Sequence, residues 1–179
     1  MSSAAHSSPL HVFTAAIVAL VYVPMVVEAW LASANERAQR ERGGIEAPHD
    51  VYRIMRIAYP VTFLAMIVEH ASSARPAPDL SAVSLGFVLF IAAKALKWWA
   101  ITTLGPFWTF RVIVVPGAKL VAGGPYRFLR HPNYVAVIGE LIAVAFLTKA
   151  RIAGPVSVLV FGALILRRIA VEDRALGRI

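Results

Sequence analysis

Residues 10–32 read LHVFTAAIVALVYVPMVVEAWLA, an apolar block running from Leu10 to Ala32. A helix needs about 20 predominantly apolar residues to cross the hydrocarbon core of a bilayer, and this block reaches that length. No Lys or Arg precedes it, so it lacks the basic leading region of a cleaved signal peptide and reads as a retained membrane helix. Residues 1–9 are small and polar and are expected to be disordered.

Four further apolar blocks follow, at about 54–71, 80–99, 134–148 and 153–170. The first of these carries Pro60, which removes a helical hydrogen bond and should kink the span. The block at 134–148 is short and contains Glu140. The whole chain of 179 residues is 59% hydrophobic and 16% charged, whereas soluble domains carry roughly 25% charged residues. The expected fold is an all-α integral membrane protein of about five transmembrane helices. Residues 1–79 would form an N-terminal two-helix region and 80–179 a catalytic core. Only a few residues separate the last two spans, which predicts an antiparallel hairpin. The small residues Ala92, Ala93, Gly139, Gly162 and Ala163 allow close helix packing, within one chain or between two.

The stretch from Ala100 to Asn133 has a different character. It holds Trp108, Phe110 and Arg111, the β-branched run Val112–Val115, then Pro116-Gly117 and Gly123-Gly124-Pro125. This reads as re-entrant or interfacial backbone, tolerated only where protein or a water-filled cavity covers it. Residues 34–50 are charged with mixed sign and read as a solvated connection or a short surface helix, with no assigned function.

The net charge of +8 reflects topology rather than nucleic-acid binding. With five spans, the connection at 33–56, the region at 94–132 and the C-terminal tail share one side and hold fifteen of the 18 basic residues. Arg75, Lys149 and Arg151 fall on the other side. Positive-inside bias then puts the N-terminus outside and the C-terminus in the cytoplasm, and the expected location is the plasma (inner) membrane of a bacterium. The chain has no cysteine, and its five histidines form no short-spaced pair, so neither thiol chemistry nor a metal centre is expected. No repeat of the transporter kind is visible.

Chemistry concentrates in two polar clusters. The segment Gly124-Pro-Tyr-Arg-Phe-Leu-Arg-His-Pro-Asn-Tyr134 leads into the fourth span. Pro132 suits the first turn of a helix, whose free N–H groups face an anion beside Arg130 and His131. Tyr126 and Tyr134 read as interfacial aromatics or as platforms for a heterocycle. The second cluster is Arg167, Arg168, Glu172, Asp173 and Arg174 at the end of the last span. Arg168 and Glu172, four apart, share a helix face and could form a solvated salt bridge. The hairpin brings His131 and Tyr134 close to Arg168 and Glu172. Such a site has apolar walls, basic groups and a carboxylate, and would suit an amphiphilic cofactor with a lipophilic co-substrate arriving from the bilayer. Glu140, a carboxylate inside a span, is a functional candidate because burying it is costly.

The run Leu104-Gly105, Trp108-Thr-Phe-Arg111, Val115-Pro-Gly117, Leu120-Val121 and Gly124–Tyr134, followed by Arg168 and Glu172-Asp173, resembles the isoprenylcysteine carboxyl methyltransferase family. The resemblance covers roughly residues 80–176. Its Arg-His-Pro-x-Tyr element is shared more loosely with phospholipid N-methyltransferases and membrane sterol reductases. It implies binding of S-adenosylmethionine near the cytosolic face, with Val121, Gly124, Tyr126, Arg130, His131, Pro132, Tyr134 and Glu172 as cofactor-binding candidates. Arg168 and Glu172 would be the catalytic pair, and Arg168, Glu140 and Trp108 would meet the substrate. The acidic pair is Glu-Asp rather than Glu-Glu, Glu140 sits inside the fourth span, and relatives usually continue past the position of Ile179 with an aromatic, acidic tail. The acceptor is expected to be lipophilic, with an oxygen nucleophile: a prenylcysteine-like carboxylate, a phenolic lipid or an alkylpyrone. The competing readings are a phospholipid-type N-methyltransferase, an NADPH-dependent membrane reductase and a non-enzymatic membrane protein.

Overall fold

A computed structural model describes residues 9–73 and 80–177; the expected disorder of the first residues falls almost wholly outside them. Five helices carry the structure: α1 (Pro9–Glu41), α2 (Tyr52–Ser72), α3 (Leu80–Leu104), α4 (Pro132–Thr148) and α5 (Ala153–Ala175). Two short strands, β1 (Ile45–Glu46) and β2 (Ile113–Val114), pair antiparallel with Ile45 opposite Val114. The protein is therefore an all-α, multi-pass membrane protein. Four helices are long and apolar enough to span, while α4 is a shorter apolar helix of 17 residues. Its 17 residues sit at the lower end of the ~17–25 that cross a bilayer.

The helices are apolar on both sides. Phe63, Met66, Phe90, Leu141, Val144 and Phe161 form the interior, while Val26, Trp30, Ile57, Val88, Leu159 and Leu166 are exposed. An apolar exterior of this kind is stable against lipid tails, not water. Small residues set the closest helix contact, α3 on α4. A Cβ at Gly86 would stand 2.9 Å from Ala143 O and from Leu147 N, and one at Gly139 would stand 3.1 Å from Ala93 Cβ. Ala93 and Gly139 thus pack within one chain, whereas Ala92 and Ala163 are exposed.

The α4–α5 hairpin is clamped by α2. Glu69 accepts hydrogen bonds from Arg151 N (2.8 Å) and Ala153 N (2.7 Å), and His70 Nδ1 lies 3.0 Å from Thr148 O. A carboxylate from one helix thereby satisfies the orphan N–H groups of another. Pro60 lies inside α2 without ending it, and Pro60 O accepts from Tyr22 Oη at 2.8 Å.

The structure corrects the reading of residues 34–50. Helix α1 continues past Ala32 to Glu41, where its polar residues meet the backbone of the 105–108 turn. Asn35 Nδ2 donates to Gly105 O (3.1 Å) and Trp108 O (2.8 Å), and Gln39 Nε2 donates to Pro106 O (3.0 Å). The irregular connector is thus covered by α1 on one side and by β1 on the other, as backbone without regular structure requires in a membrane. Lys94 and Lys97 also prove to be interior to α3 rather than loop charges. This takes two from the fifteen basic residues expected on one side and leaves the bias intact.

Candidate functional site

Pro132 opens α4 as expected, with His131 at the N-cap position. The preceding turn is a short 3-10 helix, Gly124–Arg127. Gly124 adopts φ +53°, and a Cβ there would collide with the side chain of Thr103. Only glycine lets this turn pack so tightly against α3. Gly124 therefore shapes the site from behind and lies outside the cavity lining.

The last turns of α5 come back to this point. Tyr134 Oη donates to Glu172 Oε2 at 2.7 Å and accepts from Arg168 Nε at 3.2 Å. His131 Nδ1 stands 3.7 Å from Glu172 Oε1, and its Nε2 stands 3.4 Å from Asp173 Oδ1. The rings of His131 and Tyr134 stack with centroids 5.5 Å apart, so Tyr134 is tied into this cluster rather than standing free at the membrane interface. Burial first, and the charge of Glu172 second, raise the Tyr126 phenol well above its ordinary value. It stays a neutral hydrogen-bond donor at physiological pH.

Arg168 does not pair with Glu172 along its own helix. Its Nη1 is bound by Asp50 Oδ1, and Nη2 donates to Phe110 O at 2.5 Å. Asp50 Oδ1 also accepts from Tyr52 N (2.9 Å), and Oδ2 accepts from Val112 N (2.9 Å). Asp50 thus starts α2, fixes the connector and neutralises Arg168 at once. Sequence reasoning assigned it no role: an Asp before a helix signals a cap, but nothing local marks a guanidinium 118 residues away.

Two cavities flank this constellation. The first, about 330 Å³, lies between the 111–121 connector, the start of α4 and the end of α5; Val121, Tyr126, Arg130, His131, Pro132 and Glu172 line it. Trp108 also stands in its wall, 2% exposed and packed with Ala32 and Ile101. The second, again about 330 Å³, lies among α1, α2 and α5 and is mainly apolar, with Tyr22, Met25, Met55, Val137 and Phe161 in its walls. Thr109, Asn133, Tyr134 and Arg168 line both. These four residues form a partition with a chamber of mixed polarity on one side and a mainly apolar one on the other.

Glu140 lines neither cavity. It belongs to a buried network: Lys94 Nζ lies 2.8 Å from Glu28 Oε1 and 3.1 Å from Glu140 Oε2, and Lys97 Nζ lies 2.6 Å from Glu28 Oε2 and 3.2 Å from Glu140 Oε1. Tyr59 Oη donates to Glu140 Oε2 at 2.6 Å. Two lysines cancel two glutamates, which is how charges persist inside a membrane protein. Glu28, Tyr59 and Lys97 reach the second cavity. Among the described residues, no group of three His, Asp or Glu side chains could hold a metal ion.

The model of the isoprenylcysteine carboxyl methyltransferase (ICMT) family matches residues 85–178, a span that includes the whole partition. The uncharacterized protein YpbQ of Bacillus subtilis is 29% identical over 160 residues, covering 89% of this chain and 94% of that one. An uncharacterized protein of Haemophilus influenzae is 23% identical over 146 residues, covering 81% of this chain and 84% of that one. No solved structure matches.

Proposed function

The chain belongs to the isoprenylcysteine carboxyl methyltransferase family of membrane methyltransferases, and we propose that it moves a methyl group from S-adenosylmethionine to a lipophilic oxygen acceptor. The observation that carries this reading is the pair of cavities meeting at Thr109, Asn133, Tyr134 and Arg168. A methyl transfer needs two ligands of unlike chemistry to approach one point from opposite sides. A chamber of mixed polarity and an apolar chamber sharing one wall meet that need.

The residues of the first cavity fit the cofactor. Glu172 offers a carboxylate to a cationic group, Tyr126 a neutral phenol, and Arg130 with the start of α4 a place for a carboxylate. Apolar Val121 and the stacked rings of His131 and Tyr134, which line the same cavity, suit an adenine ring. When bound, S-adenosylmethionine would supply an electrophilic methyl on a sulfonium. The protein's part is placement, since holding two reactants in line replaces a bimolecular encounter and can account for most of the acceleration. Tyr134, tied to Glu172 and Arg168, is the rigid element of the partition. Glu172 takes a proton when the acceptor carries one. The second cavity, open to α1 and α2 and lined by Met25, Met55 and Phe161, receives the acceptor's apolar body from the bilayer. The acceptor is a prenylcysteine-like carboxylate, a phenolic lipid or an alkylpyrone. The active face is cytoplasmic, with the N-terminus outside.

Labelled adenosylmethionine binding to wild type, His131→Ala and Glu172→Ala tests the cofactor assignment. Both variants should bind at least about 10-fold more weakly, the loss of a charge-assisted contact. Full affinity in both folded variants would defeat it. Incubation with lipid extract and labelled methyl donor, followed by mass spectrometry of the product, identifies the acceptor.

A further inference from the structure

We propose that a groove at the far end of the α4–α5 hairpin binds an anionic phospholipid, its phosphate between Lys149 and Arg151 and one acyl chain along the groove. The inference is independent of the methyltransferase reading, because the groove lies at the opposite end of α4 from Pro132 and the partition.

The groove holds about 680 Å³, roughly twice either cavity at the partition. Its walls are Ile142 and Phe146 on α4 and Val158 and Leu159 on α5, and Ala82 at the start of α3 closes one side. The floor is made of small residues. A Cβ at Gly154 would stand 2.7 Å from Ala145 Cβ, so α4 and α5 meet closely there and leave depth above them. Ile142, Phe146 and Leu159 are exposed, which leaves the trough open to lipid tails. From Lys149 back to Ile142 the groove runs about two helical turns, on the order of 10 Å at 1.5 Å per residue.

The mouth of this trough is basic. Lys149 and Arg151 both line it, at the end of the molecule where basic residues are fewest. Lys149 closes α4 with φ +50°, a left-handed conformation that glycine usually supplies at this position. The chain thus accepts backbone strain and places a cation where the backbone favours glycine. Among the described residues at this end, Glu69 is the one carboxylate, and its oxygens accept the N–H groups of Arg151, Ile152 and Ala153. Two cations against one carboxylate leave the mouth net positive.

A cation near a helix C-terminus also complements the helix dipole, and a long basic side chain can reach any headgroup layer. Neither role calls for an apolar trough beneath the charges. A positive mouth joined to an apolar trough matches a molecule that carries a phosphate and an acyl chain together. A soluble anion would leave the trough unfilled. A zwitterionic lipid would bring its own cation to the mouth and cancel the attraction, so the charge selects an anionic headgroup.

The chain has no cysteine, so a single Val156→Cys, exposed and outside the groove lining, can carry a bimane fluorophore beside the site. The labelled protein is placed in phosphatidylcholine nanodiscs with rising fractions of phosphatidylglycerol or phosphatidylcholine bearing brominated acyl chains. Quenching gives the relative association constant of the two lipids. Phosphatidylglycerol should be preferred by at least about 5-fold, the worth of one basic residue beside an anionic headgroup. Lys149→Gln/Arg151→Gln should bring the ratio to about one. Arg37→Gln/Arg42→Gln, which neutralises two exposed residues at the opposite end, should leave it unchanged. Excess glycerol 1-phosphate should also leave it unchanged. A ratio of one before any charge is removed, a ratio unaltered in the groove variant, or an equal loss in the control variant would each overturn the proposal. Loss of the preference on adding glycerol 1-phosphate would assign the mouth to a soluble phosphate, and quenching by neither lipid would mean that a second copy of the chain covers the groove; both results overturn it too. The ratio measured before charge removal decides the matter even where a variant does not fold.

Discussion

The network of Glu28, Lys94, Lys97 and Glu140 offers a quantitative test of how the interior is built. Glu28, Lys97 and Glu140 are 1%, 2% and 2% exposed, and each ammonium lies between two carboxylates at 2.6 to 3.2 Å. Glu140→Gln leaves two ammoniums sharing one carboxylate. Lys97→Met leaves two carboxylates sharing one ammonium. Removing one partner of a buried pair costs about 3–5 kcal/mol, and a lone charge at the centre of a membrane helix costs about 2.5–3.5 kcal/mol. Each single change is therefore expected to destabilise by about 3–4 kcal/mol. The double variant is different, because it keeps Lys94 and Glu28 as a neutral pair at 2.8 Å. Its cost should stay close to that of one single change, well below the sum, with a coupling of about 3 kcal/mol at the upper end of the measured range. Reversible unfolding of the four proteins in mixed micelles, or steric trapping in bicelles, measures these differences. Additivity of the two changes within about 0.5 kcal/mol would show that the groups do not form one desolvated network, and the reasoning would fail.

Further outcomes follow from the same geometry. Asp50→Asn removes the charge that balances Arg168; turnover should fall at least about 10-fold, and an Arg168→Met/Asp50→Asn double variant should regain stability relative to Asp50→Asn, read by unfolding. Gly124→Ala forces a left-handed backbone and a clash with Thr103, and should cost about 1–3 kcal/mol. Glu46 is held below its ordinary carboxylate range: burial alone would raise it, but hydrogen bonds from Arg40 and Arg111 outweigh that. Its native state binds the proton less readily, so its contribution is present above pH 4.5 and lost as pH falls below that value. An unfolding profile against pH should show this loss in wild type and a reduced slope in Glu46→Gln. The chain has no cysteine, so single cysteines at positions 42 and 151 report topology without background. The first should react with an impermeant reagent only from the cytoplasmic side, the second only from outside.

Much of the site was legible because chain connectivity forces it. A turn of a few residues between two apolar helices makes them antiparallel neighbours, so the start of α4 must meet the end of α5. His131, Tyr134 and Glu172 follow from that alone. Asp50 was not legible, since its partner in the fold lies 118 residues away and in sequence it is one charge among many. Lys94 and Lys97 misled for a related reason. Near the end of an apolar block they read as loop charges, and only the opposing carboxylates of Glu28 and Glu140 keep them inside. Asn133 sat in plain view within the polar segment, but only the fold shows that it lines both cavities.

Local composition determined that this protein lives in a membrane, how many apolar helices it has, and which short polar segment leads into the fourth of them, because hydropathy and helix periodicity act along the chain. Tertiary structure decided which charges are paired, that α1 extends to cover the connector, and that two chambers share one wall at Asn133, Tyr134 and Arg168. Those depend on Coulombic and hydrogen-bond partners brought together across the fold, whose energies vary steeply with distances that no sequence spacing records.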